Sequence, residues 1–248
     1  MFGDHFYHKQ IRNTVIAFGT IFNNVNIKRT DSSGNPLQTL RVPLSYSPKE
    51  KFLARLDAQQ DLTGDDSKVA ITLPRMSFEI TGYNYDGTRK LNKNQKLGRV
   101  TTNADTTKLN TQYSPVPYNV NFSLNVFVAN SDDGLQIIEQ ILPFFQPDYT
   151  VTMIEDRTMD TKRDIPFILN SVDYEDSYTG SLTSMRRIIY TLSFTAKVYL
   201  YGPISTGAII KKVSADLYSD TGSNAPRVER VTVQPNPTSA DKDDTYTY

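Results

Sequence analysis

The sequence predicts an α+β fold: a mixed, largely antiparallel sheet with a few helices packed on one of its faces. Three observations carry this. Ile188, Tyr190, Leu192, Phe194, Ala196, Val198 and Leu200 alternate without a break, the two-residue period of a half-buried strand. Val120, Phe122, Leu124, Val126 and Val128 repeat the pattern with one deviation, at Phe127. Helical spacing appears in separate segments, and the strands join through turns, not through regular helical crossovers.

In chain order, residues 9–22 read as a helix, with Ile11, Val15, Phe18 and Phe22 on one side. Gly19 weakens it by about 1 kcal/mol relative to Ala. Residues 24–46 read as a hairpin whose arms flank the turn cluster Asp31 to Pro36. Ser47 suits an N-cap, Pro48 the first helical position and Glu50 a capping box, so a short helix is expected over 48–58 with Phe52, Leu53 and Leu56 buried. Residues 59–68 are a polar loop. Residues 69–85 form a strand pair or one bent strand, with Pro74 marking an edge or bulge. Residues 86–112 lack apolar periodicity, and so long an excursion is usually functional or disordered.

Ser131-Asp132-Asp133-Gly134 opens a helix with acids at the positive end of its dipole. Leu135, Ile138, Ile141, Leu142 and Phe145 give its buried side, and Pro143 and Pro147 stop it. Strands follow at 149–154, 165–172 and 188–200, the last spanning roughly 40 Å at about 3.3 Å per residue. Its other face carries Thr191, Ser193, Thr195, Lys197, Tyr199 and Tyr201, which suits water or a partner. Residues 1–203 are expected to form one domain and 204–248 an extension ending in a flexible tail, because 221–248 are rich in Thr, Ser, Pro and Asp.

Composition excludes several function classes. Lys+Arg and Asp+Glu both number 27, which leaves no electrostatic footprint for nucleic acid or an anionic membrane. The absence of cysteine removes disulfides, thiolate metal sites and thiol nucleophiles. No run approaches the roughly 18 apolar residues of a membrane span, and the N-terminus has no signal-peptide pattern, so a soluble protein with no membrane partner is expected.

Candidate chemistry is sparse. His5 and His8 could share a metal at i, i+3, but no third ligand is signalled, so a surface role is expected. Asp173, Glu175 and Asp176 could serve hydrolysis or bind a cation, yet the same residues suit a solvated turn. Ser131 to Gly134 fits a helix cap and lacks calcium-loop spacing. Phosphate-loop, nucleophile-elbow and zinc-protease motifs are absent. Arg186-Arg187 and Lys211-Lys212 are basic pairs that read as solvated charge. The expectation is no catalytic residue, no metal and no cofactor. The 15 Tyr and 12 Phe, with no Trp, supply the large contact areas of core and interface.

Several segments in order resemble one family. They are Met1-Phe2-Gly3 with His5-Phe6-Tyr7, Val42-Pro43-Leu44-Ser45-Tyr46, the stretch Leu73 to Ile80, and Tyr113-Ser114-Pro115-Val116-Pro117-Tyr118. The long run Asp132 to Pro147, Arg163-Asp164-Ile165-Pro166, and Arg186-Arg187 before the long strand complete the series. The series resembles the tail sheath stabiliser (tail completion) family of T-even-like contractile-tailed phages across about residues 1–203. The resemblance implies a tail-terminator-like fold and a ring, hexameric, at the head-proximal end of the tail. The ring would cap the last sheath ring and the tube terminator and offer a docking surface to the neck proteins of the head. DNA would pass through it without specific binding. Arg186, Arg187, Lys197, Tyr199 and Tyr201 are the candidate interface residues. A tube terminator, neck protein or baseplate component shares the composition and fold class. A carbohydrate hydrolase using Asp173 and Glu175, and a nucleic-acid-binding module, are the readings from other classes.

Overall fold

The computed structural model describes residues 5–30, 36–60, 73–100, 108–156, 159, 161–177, 187–208, 210, 212–221 and 226–234. In chain order the elements are α1 (Gln10–Ile21), β1 (Asn26–Thr30), β2 (Pro36–Arg41), β3 (Leu44–Tyr46), α2 (Lys49–Gln60) and β4 (Arg75–Tyr85). Then come β5 (Lys96–Val100), β6 (Lys108–Tyr113), β7 (Val116–Val128), α3 (Ser131–Ile141), β8 (Asp148–Asp156) and β9 (Thr161–Ser177). The last are β10 (Arg187–Leu200), β11 (Ser205–Ala208), β12 (Val213–Tyr218) and β13 (Arg227–Val233). The chain divides into two compact units, one of 7–91 with 115–200 and one of 1–6, 92–114 and 201–248.

The larger unit is built on a six-stranded sheet of order β3-β4-β7-β10-β9-β8. Only β3 and β4 run parallel; the other neighbours are antiparallel. The mixed, largely antiparallel sheet is therefore as expected. β7 and β10 pair over their whole lengths, from Ile188 opposite Val128 to Leu200 opposite Val116. Their alternating apolar residues thus form one continuous surface. α1 lies on it and inserts Phe18, which Phe22, Phe78, Phe122, Phe167 and Phe194 surround at ring-centroid distances of 4.5–5.8 Å. Burying one such ring contributes on the order of 2–3 kcal/mol.

α3 covers the other end of the same face. Asn130 caps it, accepting from the Asp132 amide at 3.3 Å. The buried residues are Asp133, Gly134, Ile137, Ile138 and Ile141, while Leu135 is 56% exposed. The helix is thus rotated from the expected face. The reason is Gly134, which lets the backbone approach the Tyr190 ring, and Asp133, whose carboxylate finds a cation. Leu142–Phe144 forms a short 3-10 turn where Pro143 prevents continuation.

α2 departs from the expected layout. It sits on the opposite face of the sheet, where Phe52 packs on Phe127 and Ile189. Phe127, the single break in the β7 alternation, is the docking point. Ser47 does not cap α2: among the described residues its hydroxyl has no partner, and the Lys49 amide donates instead to Glu79 Oε1 of β4 at 3.3 Å. Pro74, preceded by a cis peptide bond, stands just before β4.

The smaller unit is a three-stranded antiparallel sheet of order β11-β6-β5 with the hairpin β12–β13. β6, from the excursion 86–112, therefore pairs with β11, from the extension after 203. Thr206 donates to Asn110 Oδ1 at 2.8 Å, and Gln112 Nε2 donates to the Gly202 carbonyl at 2.8 Å. Asn110 and Gln112 of β6 are both buried, so these bonds offset part of the cost of hiding their amides. Arg227–Val233, expected in the flexible tail, is strand β13; residues 235–248 lie outside those described.

Candidate interaction surfaces

Among the described residues no group of three or more His, Asp or Glu could hold a metal. Asp173, Glu175 and Asp176 are not in a turn, because β9 continues to Ser177. Alternation sends Asp173 and Glu175 to one face and Asp176 to the other. Glu175 meets Lys49 Nζ at 2.9 Å, and Asp176 accepts from the Tyr174 hydroxyl at 3.2 Å. Glu175 and Asp176 thus have separate structural partners.

The charged groups that are tightly held serve the fold. Arg29 of β1 grips Asp133 of α3, with Nη2 2.7 Å and Nε 3.4 Å from its two oxygens. The hydrogen bond and the charge of Asp133 push the Arg29 guanidinium above its ordinary value. Beside this pair, Gln136 Oε1 accepts from the Lys28 amide and its Nε2 donates to the Lys28 carbonyl, both at 3.0 Å. Gln140 Nε2 donates to the Asn26 carbonyl at 2.8 Å. The free edge of β1 is therefore occupied by helix side chains. Asp86, at the start of a tight turn, accepts from Thr88 Oγ1 at 2.6 Å and from Arg89 Nε at 2.7 Å. Those bonds, Thr88 first, hold its carboxyl well below the usual carboxylate range.

The interface residues expected on β10 fall in different settings. Lys197 and Tyr199 are half-buried near the end of the strand. The Tyr199 ring has the Arg163 guanidinium 4.2 Å from its centroid and that of Arg89 at 5.0 Å. Arg187 begins β10 opposite Ser177 and is partly buried. Tyr201 belongs to the smaller unit and is 4% exposed, so its ring presents no surface. Arg186 lies outside the described residues.

Two apolar surfaces were not singled out by sequence. In the larger unit, an open groove of about 610 Å³ is lined by Ile21, Phe22, Pro143, Phe144, Phe145 and Tyr149, among others. Phe144, on its lip, is 66% exposed. In the smaller unit, register puts Val213, Ala215, Leu217, Val231 and Val233 on one side of the hairpin, with Glu229 opposite Leu217 at its end and the four larger aliphatics exposed. On the other side Asp216 binds Arg230 through two bonds of 2.6 and 2.8 Å. Large apolar patches of this kind mark interaction sites on soluble proteins.

The chain is similar to known phage proteins over nearly all its length. The model of the T4-like virus Myoviridae tail sheath stabiliser family matches residues 5–248. Tail completion protein gp15 of Enterobacteria phage T4 is 33% identical over 227 residues, covering 89% of this chain and 81% of that protein.

Proposed function

Because the chain belongs to the tail sheath stabiliser family of T4-like viruses, we propose that it forms a closed hexameric ring at the head-proximal end of the tail. Membership itself makes it a structural component of the phage tail, associated with other tail parts, and not an enzyme. In the proposed role the ring caps the last sheath ring and the tube terminator and presents a surface to the neck proteins of the head. DNA passes through without specific contacts, in keeping with equal numbers of acidic and basic residues.

The observation that carries the reading is the pair of exposed apolar surfaces, the Phe144 groove and the β12–β13 hairpin. A ring joins unlike surfaces head to tail, and each subunit needs at least two. Lys197 and Tyr199 belong to the proposed contact surface as a polar rim. The cap works by population shift: a ring that binds the extended sheath better than the contracted one moves the balance toward extended. Several linked contacts act with avidity, so each contributes only modestly.

The test is the mass of the purified assembly with and without Phe144→Asp and Leu217→Asp. A charge in either surface is expected to reduce the assembly to monomers that keep their folded circular dichroism. A wild-type protein that remains monomeric at high concentration and does not bind tail ends overturns the reading.

A further inference from the structure

We propose that β8 of one copy pairs with β13 of the next, a joint that presupposes the hexameric ring and supplies its subunit contact. β8 ends the larger unit's sheet, and among the described residues no strand flanks its outer side. The Leu169 amide donates to the Pro147 carbonyl at 3.1 Å, which fixes the phase of the β8–β9 ladder. Tyr149, Val151 and Met153 therefore bond inward to β9, while Asp148, Thr150, Thr152 and Ile154 aim their amides and carbonyls outward. From Tyr149 to Ile154 the strand has no proline and no charge, two devices that blunt an edge. The opposite edge, β3, is only three residues long, and β1 has its edge filled by Gln136 and Gln140. Among the described residues, β8 is thus the long edge of its unit left without a guard.

β13 has the complementary need. With β12 it forms a two-stranded sheet, and every residue of β13 is exposed. Two strands alone are marginal in water, and pairing with a larger sheet that has an apolar face adds stability. β13 has seven residues, as many as 148–154, the part of β8 before its register shift. Alternation matches as well. Set antiparallel with Thr232 opposite Thr150, β13 puts Val233 beside Tyr149 and Val231 beside Val151, apolar next to apolar. Val233 then reaches the lip of the Phe144 groove, which Tyr149 also lines. On the other face Arg230, already bound to Asp216, falls beside Thr152, whose hydroxyl donates to Asp164 at 2.6 Å, so a base approaches a second acid. The joint uses different surfaces on the two copies, as a closing ring requires.

The chain has no cysteine, so engineered thiols report the contact. Tyr149→Cys and Val233→Cys are made as separate full-length variants and mixed under mild oxidation. Opposed residues of an antiparallel pair lie close enough for a disulfide. Covalent dimers are expected in the mixture and not with either variant alone. Assembly without cross-linking, or cross-linking of one variant with itself, overturns the strand pairing and leaves the ring standing. A wild-type protein that stays monomeric removes the ring and the joint with it. Thr150→Pro is the second test, since it deletes an outward amide that the β8–β9 ladder does not use. It should lose the assembled species in native mass spectrometry while circular dichroism stays folded, and Thr150→Ala, which keeps the amide, should assemble as the wild type does. Assembly of a folded Thr150→Pro, or its loss in Thr150→Ala, overturns the pairing. If Thr150→Pro does not fold, the cross-linking result decides.

Discussion

Gly134→Ala sets helix propensity against packing. On an exposed helix the change stabilises by about 1 kcal/mol. Here the new Cβ would lie 2.6 Å from Tyr190 Cε2, 3.3 Å from its Cζ and 3.1 Å from Val128 Cγ2. Favourable carbon contacts are about 3.5–4.0 Å, so helix or ring must shift by roughly 1 Å. The ring has little room, being buried and packed on Tyr174 with centroids 5.1 Å apart. Overpacking between two elements costs about 2–3 kcal/mol, the upper part of its usual span. Subtracting the propensity gain leaves a net loss of about 1–2 kcal/mol. Urea unfolding followed by circular dichroism is the assay. With a slope near 2–3 kcal/mol per molar urea, the midpoint should fall by roughly 0.5 M. In a Tyr190→Leu background the same change should become neutral or stabilising, giving a coupling energy of opposite sign to its cost. A raised midpoint in the otherwise native chain refutes the packing argument.

Three other perturbations address separate parts of the molecule. Asp133→Ala should cost roughly 1–2 kcal/mol in thermal or urea unfolding, less than for a fully buried pair because Arg29, half-exposed, regains water. Gln136→Ala should speed hydrogen exchange at the Lys28 amide, which loses its acceptor, while exchange in β7 and β10 stays unchanged. Asp86→Asn should lower the melting temperature at neutral pH. A carboxyl held low in the folded state adds stability that is fully present above the unfolded value near 4 and is lost as pH falls through the folded one. The gap between variant and wild type should therefore be widest above about pH 4 and close in stronger acid.

How much of this was legible follows from the range of each signal. β7 and β10 were readable because alternation is local, and their buried faces are the core. The ends of α1 and α3 were readable for the same reason. The rotation of α3 was not, because it depends on Tyr190 and Arg29, far away in sequence. The side chosen by α2 was hidden in one residue, Phe127, which reads as a flaw until Phe52 is seen against it. Asp173 and Glu175 looked like a turn because charge usually means solvent; an exposed strand satisfies that equally. The β6–β11 pairing spans more than ninety residues, as in the Thr206–Asn110 bond, and carries no periodic mark. The apolar side of β12 and β13 was obscured by the polar residues around it. For the interaction surfaces, sequence supplied the aromatic content but not its placement: Tyr201 is buried while Phe144, next to the helix-stopping Pro143, stands in the open.

The glutamines along β1 bear on what the chain must avoid. An unpaired strand edge is a template for another strand, and stacking of that kind has no natural end; it leads to fibres and precipitates. Gln136 and Gln140 fill the edge with amides that imitate a neighbouring backbone, so an incoming strand has to displace bonds already made. A protein that must assemble with others stays dispersed only if its contacts with itself are finite. Two side chains on one helix turn guard that solubility, and replacing both should show first as turbidity on storage, ahead of any fall in melting temperature.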